Sequence, residues 1–184
     1  MSALIEEILE YNREFVARGD CARYDASKHP GKKLAIVSCM DTRLVELLPA
    51  AMGLKNGDVM LIKNAGGMIT HPFGSAMRSL LVAVYQLGVE EVAVIGHYDC
   101  GLQGLESKEI IEKMLECGVK RKEIKLLNYC GFDLKSWLNG FASAEEAVQA
   151  SLDIIRSHPL MPESIQVHGF LMDPHTGRLD VVTV

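Results

Sequence analysis

Nowhere in these 184 residues does an apolar run approach the ~20 residues needed to cross a bilayer, so no membrane role is expected. Low-complexity tracts and internal repeats are absent too, which sets aside disordered tails and solenoids. Positive charge is not in excess. The net charge is -5, whereas a general nucleic-acid binder needs a basic face. The densest basic stretch, Lys120 to Lys125, includes Glu123 and Ile124 and reads as a solvated helix face. The first residues, Ser2-Ala3-Leu4-Ile5-Glu6-Glu7, carry acids where a signal peptide carries positive charge, so a cytoplasmic location is expected. Cysteine is present without a disulfide framework. Five residues (21, 39, 100, 117 and 130) make an odd number with no dense spacing, which suggests reduced thiols free to bind metal. No Cys-x-x-Cys exists for thioredoxin-like chemistry, and no Gly-x-Gly-x-x-Gly for a dinucleotide.

What is present is a chain 48 % hydrophobic and 23 % charged, enough for one well-filled core and one domain over 1–184. Residues 2–17 have the apolar spacing of an amphipathic helix, stopped by Gly19. Leu34 to Ser38 reads as a buried strand, 44–52 as a helix closed by Gly53, and Val59 to Ile62 as a second strand ending in the loop Asn64 to Gly67. Pro72 suits the first turn of a helix that runs to Leu87 and stops at Gly88. Its apolar residues, Phe73 among them, wrap most of the circumference and predict burial on more than one side, against the sheet and a partner subunit. Val92 to Ile95 is the third strand. Short helices broken at Gly118 and Gly131 fill 102–140, and Ser143-x-x-Glu146 is a capping box for a helix ending before Pro159. Ser164 to Met172 and Arg178 to Val184 read as strands joined by a hairpin. The fold class is therefore α/β: a mostly parallel central sheet flanked by helices, last strand antiparallel, in the order 2-1-3-4-5. In such a sheet the ligand crevice opens at the carboxyl ends of strands 1 and 3.

Cys39 is expected at the end of strand 1, with His97 and Cys100 just beyond strand 3. Two thiolates and an imidazole suit zinc, and three protein ligands leave the fourth position open, as catalysis needs. Taken singly, each piece has a plainer reading, since a cysteine ending a buried strand is most often a small hydrophobe. Convergence on one crevice favours metal. Asp41, two residues after Cys39, can reach an open metal position as ligand or as hydrogen-bond acceptor, and Arg43 can hold it ionised. The plainer alternative is a surface ion pair at a helix start. Only three residues separate Cys39 from Arg43, too few for the oxyanion loop of a cysteine phosphatase. Gly66 and Gly67 either let backbone approach the crevice or simply make a turn. His29, His71, His158, His168 and His175 have no partner spacing and read as structural or solvated.

Together, Cys39-Met40-Asp41-Thr42-Arg43, Ala65-Gly66-Gly67 and His97-Tyr98-Asp99-Cys100-Gly101 resemble the motifs of the β-class carbonic anhydrases, in order and at family-like separation. The resemblance is close over about 33–103 and loose elsewhere. It implies one zinc per chain on Cys39, His97 and Cys100, an Asp41–Arg43 dyad beside it, and a homodimer or tetramer. Lys28-His29-Pro30 lacks the glutamine that the plant-type subclass carries before strand 1, so the chain looks more like the short archaeal-type subclass. The implied activity is that of a zinc lyase: reversible hydration of carbon dioxide to bicarbonate by zinc-bound hydroxide, with Asp41 and Arg43 catalytic. An alternative closed state would have Asp41 ligate zinc itself. Two rivals share the residues: a carbon disulfide or carbonyl sulfide hydrolase on the same scaffold, and a non-catalytic zinc-binding or regulatory protein.

Overall fold

Strand β1 (Leu34–Cys39) is buried along its whole length after its first residue, as a strand covered on both faces must be. A computed structural model of the chain describes residues 1–183 and sets β1 between two parallel neighbours, β2 (Val59–Asn64) and β3 (Glu91–His97). Strand β4 (Gln166–Met172) pairs parallel to β3, and the short β5 (Leu179–Val181) runs antiparallel to β4. The resulting order, β2-β1-β3-β4-β5, is the one the sequence predicts. Both hairpin strands are shorter than expected, and Val184, at the end of the last predicted strand, lies outside the described residues.

The described residues form seven helices: α1 (Ala3–Arg18), α2 (Leu44–Ala51), α3 (Ser75–Leu87), α4 (Ser107–Glu116), α5 (Arg121–Tyr129), α6 (Leu134–Leu138) and α7 (Ala144–Arg156). Alternation along the strands divides the core in two. Ala35 and Val37 of β1 and Val92 and Val94 of β3 pack with Met77 and Leu80 of α3 and Leu152 and Ile155 of α7. Ile36, Ala93 and Ile95 face the other way, onto Leu44 and Leu48 of α2. Each such Val, Leu, Ile or Met side chain, fully buried, stabilises the fold by roughly 1.5–3 kcal/mol relative to exposure. None of the helices is long and apolar enough to cross a membrane.

One expectation about helix α3 needs correction. It begins at Ser75 rather than around Pro72, with Gly74 as an extended N-cap. The residues before it close a separate turn: Gly74 N–H donates to His71 O, and Phe73 N–H donates to His71 Nδ1 at 3.0 Å. These bonds use groups that a helical first turn would otherwise direct along the axis. Within one chain the helix buries Met77, Leu80 and Ala83 and packs Ala76, Leu81 and Val84 against the same core, while Val82 and Tyr85 stay exposed and Phe73 is 70 % exposed, which leaves a second side for a partner subunit. A second correction concerns β3. Pairing with β4 continues to His97 opposite Met172, so His97 is the last residue of the strand rather than lying just beyond it.

Candidate metal centre

The register of three strands brings the site together. Ser38 lies opposite Ile95, and Cys39 opposite Asn64, so the carboxyl ends of β1, β2 and β3 share one rim. Beyond Cys39 the chain keeps one more contact with β2, Met40 N–H donating to Asn64 O at 2.8 Å, and then turns into α2. Asp41 makes that turn, its Oδ1 accepting from Arg43 N–H at 2.9 Å, the local bonding that suits aspartate to such positions. The segment Ala65–Gly67 crosses directly behind. At Gly67, with φ +64°, a Cβ would stand 2.5 Å from Cys39 N and 2.8 Å from Ser38 C, so only glycine allows the approach.

On this rim the sulfurs of Cys39 and Cys100 lie 3.9 Å apart. With a ring nitrogen of His97 they form a buried trio whose ligand atoms all fall within 4.8 Å of one another. His97 Nδ1 meets Tyr98 O at 2.8 Å, and since a carbonyl only accepts, that contact assigns the proton to Nδ1. Nε2 is left buried without a hydrogen-bond partner. A buried acceptor beside two thiols, with no hydrogen-bond partner of its own, is costly unless another group engages it. Two sulfurs and one imidazole nitrogen are the donor set of a soft or borderline divalent ion, zinc above all, and the geometry fits it.

Asp41 stands beside the trio, its Oδ2 3.8 Å from His97 Nε2. It is turned toward Arg43, which donates from Nε to Oδ1 at 3.0 Å and from Nη2 to Oδ2 at 2.8 Å. That two-point pair with the guanidinium holds the carboxyl down to about 2, and Arg43 is raised in return. The two thiols are pushed in opposite directions. Burial raises Cys39, but the facing His97 ring and backbone contacts at Asp41 and Gly66 outweigh it and bring the thiol down. Burial and the neighbouring Cys39 sulfur push Cys100 up. Burial works against a charged His97 as well, yet the Cys39 sulfur and the Tyr98 carbonyl leave it raised. Lys63, on β2, is lowered by burial while facing the negative Cys39 and Asp41. A cavity of about 500 Å³ opens alongside, walled in part by Lys63, Ala65, Met68, Leu102 and Trp137. Leu102 also packs against the group of residues that includes Cys39 and Cys100, so the cavity wall and that group share it.

The sequence profile of the carbonic anhydrase family matches residues 34–179. The crystal structure of β-carbonic anhydrase isoform I from Trichomonas vaginalis superposes with a TM-score of 0.89 at 34 % identity, covering 99 % of this chain and 98 % of that one. The chain belongs to the β-carbonic anhydrase family. It is also similar to a Bacillus subtilis protein named "Putative carbonic anhydrase YtiB", 51 % identical over 98 % of this chain and 96 % of that protein. A carbon disulfide hydrolase of Acidithiobacillus thiooxidans is 26 % identical over 80 % of this chain and 76 % of its own length.

Within this β-carbonic anhydrase fold, Cys39, His97, Cys100, Asp41 and Arg43 gather at one point, and Gly66 and Gly67 lie directly behind them. The remaining histidines stand apart. His158, though buried, is used up by Pro72 O and Leu160 N–H, and His168 pairs with Glu91 on the surface. Two further polar residues stand at the site that no sequence motif assigns to it. Lys63 immediately precedes Asn64-Ala65-Gly66-Gly67 on β2. Asp99 sits inside the His-x-x-Cys motif, between the two ligand positions. A short polar residue there, two positions before Gly101, is the available signal for a backbone bend.

Proposed function

We propose that the chain catalyses the reversible hydration of carbon dioxide to bicarbonate and a proton, at a zinc ion held by Cys39, His97 and Cys100. The observation that carries this reading is the buried trio of donor atoms within 4.8 Å, with an ionised carboxylate 3.8 Å from the imidazole nitrogen. Zinc, when bound, lowers the pKa of water from about 15.7 toward 7 and so supplies a nucleophile at neutral pH. The chain's own residues do the rest. Asp41 cannot act as a proton donor near neutrality, since Arg43 keeps it ionised; it accepts a hydrogen bond and fixes the direction of the attacking lone pair. Arg43 holds the carboxylate in place through Nε and Nη2. Gly67 lets the backbone behind Cys39 approach closely enough to close off the rear of the site. Leu102, shared by the cavity wall and the sulfur environment, supports an apolar approach suited to an uncharged linear substrate.

A second reading is supported by the kinship to a carbon disulfide hydrolase. Carbon disulfide and carbonyl sulfide are linear, uncharged and open to the same nucleophile, so discrimination falls to the approach rather than to the donor trio. We further propose a homodimer or tetramer, on the ground that helix α1 buries none of its residues within one chain.

Purified protein carrying about one zinc per chain is expected to hydrate carbon dioxide in a stopped-flow indicator assay, with the two sulfur analogues run alongside. Activity that survives complete zinc removal refutes the reading, and preference for carbon disulfide replaces it with the second. Asp41→Ala is expected to keep the metal and lose on the order of 100-fold in turnover, as measured by metal analysis and kcat.

A further inference from the structure

The guanidinium of Arg43 has five N–H donors, and Asp41 takes only two of them. Two others go to a single residue on the opposite side. Nη1 donates to Asp99 Oδ2 at 2.8 Å, and Nη2 donates to Asp99 O at 2.9 Å. Asp99 lies in the chain between His97 and Cys100, so Arg43 ties the turn after β1 to the loop after β3. Its backbone is unusual. With φ +52°, Asp99 is one of two non-glycine residues of positive φ among the described residues, the other being Lys33. Aspartate tolerates this left-handed conformation better than most residues, and there its carbonyl and carboxylate both reach the same guanidinium.

We propose that Asp99 is a positioning residue: its carboxylate anchors the far edge of Arg43 and so keeps Asp41 at a fixed place beside the donor trio. This rests on the catalytic part given to Asp41 above. The Asp99 side chain is 77 % exposed, and ion pairs so open to water contribute little to stability. Its effect is on orientation. A planar group clamped on two edges cannot swing, whereas one held by Asp41 alone leaves the pair free to move as a unit. The backbone carbonyl of Asp99 supplies the second clamp, and the carboxylate is the part a substitution can remove.

Asp99→Gly deletes the carboxylate and accepts the positive φ without strain, while Asp99→Asn keeps the shape and one acceptor oxygen. In metal-free protein labelled with nitrogen-15, hydrogen exchange of the Arg43 Nε–H, assigned by its loss in Arg43→Lys, reads how firmly the guanidinium is held. Exchange is expected to quicken about tenfold in Asp99→Gly and less in Asp99→Asn, as loss of a charged hydrogen bond implies. In zinc-loaded protein, kcat for hydration is expected to fall about tenfold in Asp99→Gly, with zinc content and KM unchanged. Unaltered Nε–H exchange in both variants overturns the anchoring, and faster exchange with unaltered kcat overturns its link to Asp41. If wild-type protein proves inactive on carbon dioxide, the functional reading fails instead, and the exchange measurement decides the anchoring by itself. Should Asp99→Gly not fold, Asp99→Asn carries both measurements.

Discussion

Gly67 is defined by the atom it lacks. Giving it a Cβ, as in Gly67→Ala, sets that atom against Cys39 N and Ser38 C and forces an L-residue to φ +64°. The left-handed conformation alone costs about 1–2 kcal/mol, and the clash adds to it. Thermal melts of Gly67→Ala should therefore show a loss of roughly 2 kcal/mol or more, and zinc retention after dialysis should fall. Asp41 carries a pH signature of its own. Its folded-state value of about 2 lies below the ordinary carboxylate value near 3.9. A depressed carboxylate stabilises the fold fully above the unfolded value and loses that contribution as pH falls through the folded one. Denaturant midpoints of the wild type should decline more than those of Asp41→Asn between about pH 4 and pH 2. The trio and the dyad were legible because each residue sits at a strand end within a short motif. Asp99 was not, because its meaning depends on a backbone angle and on a partner 56 positions away.

Helix starts separate what local sequence can say from what it cannot. At α7 the signal was complete: Ser143 Oγ accepts from Glu146 N–H at 3.1 Å, as the Ser-x-x-Glu pattern predicts. Ser143→Ala should cost about 1 kcal/mol in chemical denaturation, the usual worth of a lost N-cap. At α3 the signal misled. Pro72 is a good first-turn residue, but the imidazole of His71 captures the Phe73 N–H and closes a turn before the helix begins. A side-chain acceptor can override a helix-start preference without leaving a recognisable pattern. The breaks around Gly118 and Gly131 were readable, giving α4, α5 and α6. What those helices cover was not, since Trp137 meets the cavity only through the tertiary fold.

At the scale of the molecule, the sheet order is the one that the general rules of strand connection suggest. The surface is where one chain's sequence stops informing. Helix α1 has a regular apolar spacing, yet Leu4, Ile5, Ile8 and Leu9 all remain exposed, and β2 is an edge strand with Leu61 open to water. Patches of this kind mark surfaces meant to be covered. Analytical ultracentrifugation should find a dimer or larger species at micromolar concentration, and deletion of α1 should shift it toward monomer. A wild type that sediments as a monomer throughout that range counts against the assembly.

The two sulfurs that face each other across 3.9 Å are 61 positions apart, one at the end of β1 and the other in the loop after β3, and their meeting depends on β1 having inserted between β2 and β3. No fragment ending before residue 100 contains all three donors, and a nascent or unfolded chain holds them scattered. Metal capture is therefore a late event that reports on sheet assembly. During refolding with cobalt as a coloured substitute, thiolate charge-transfer absorption should grow in step with native structure and never ahead of it.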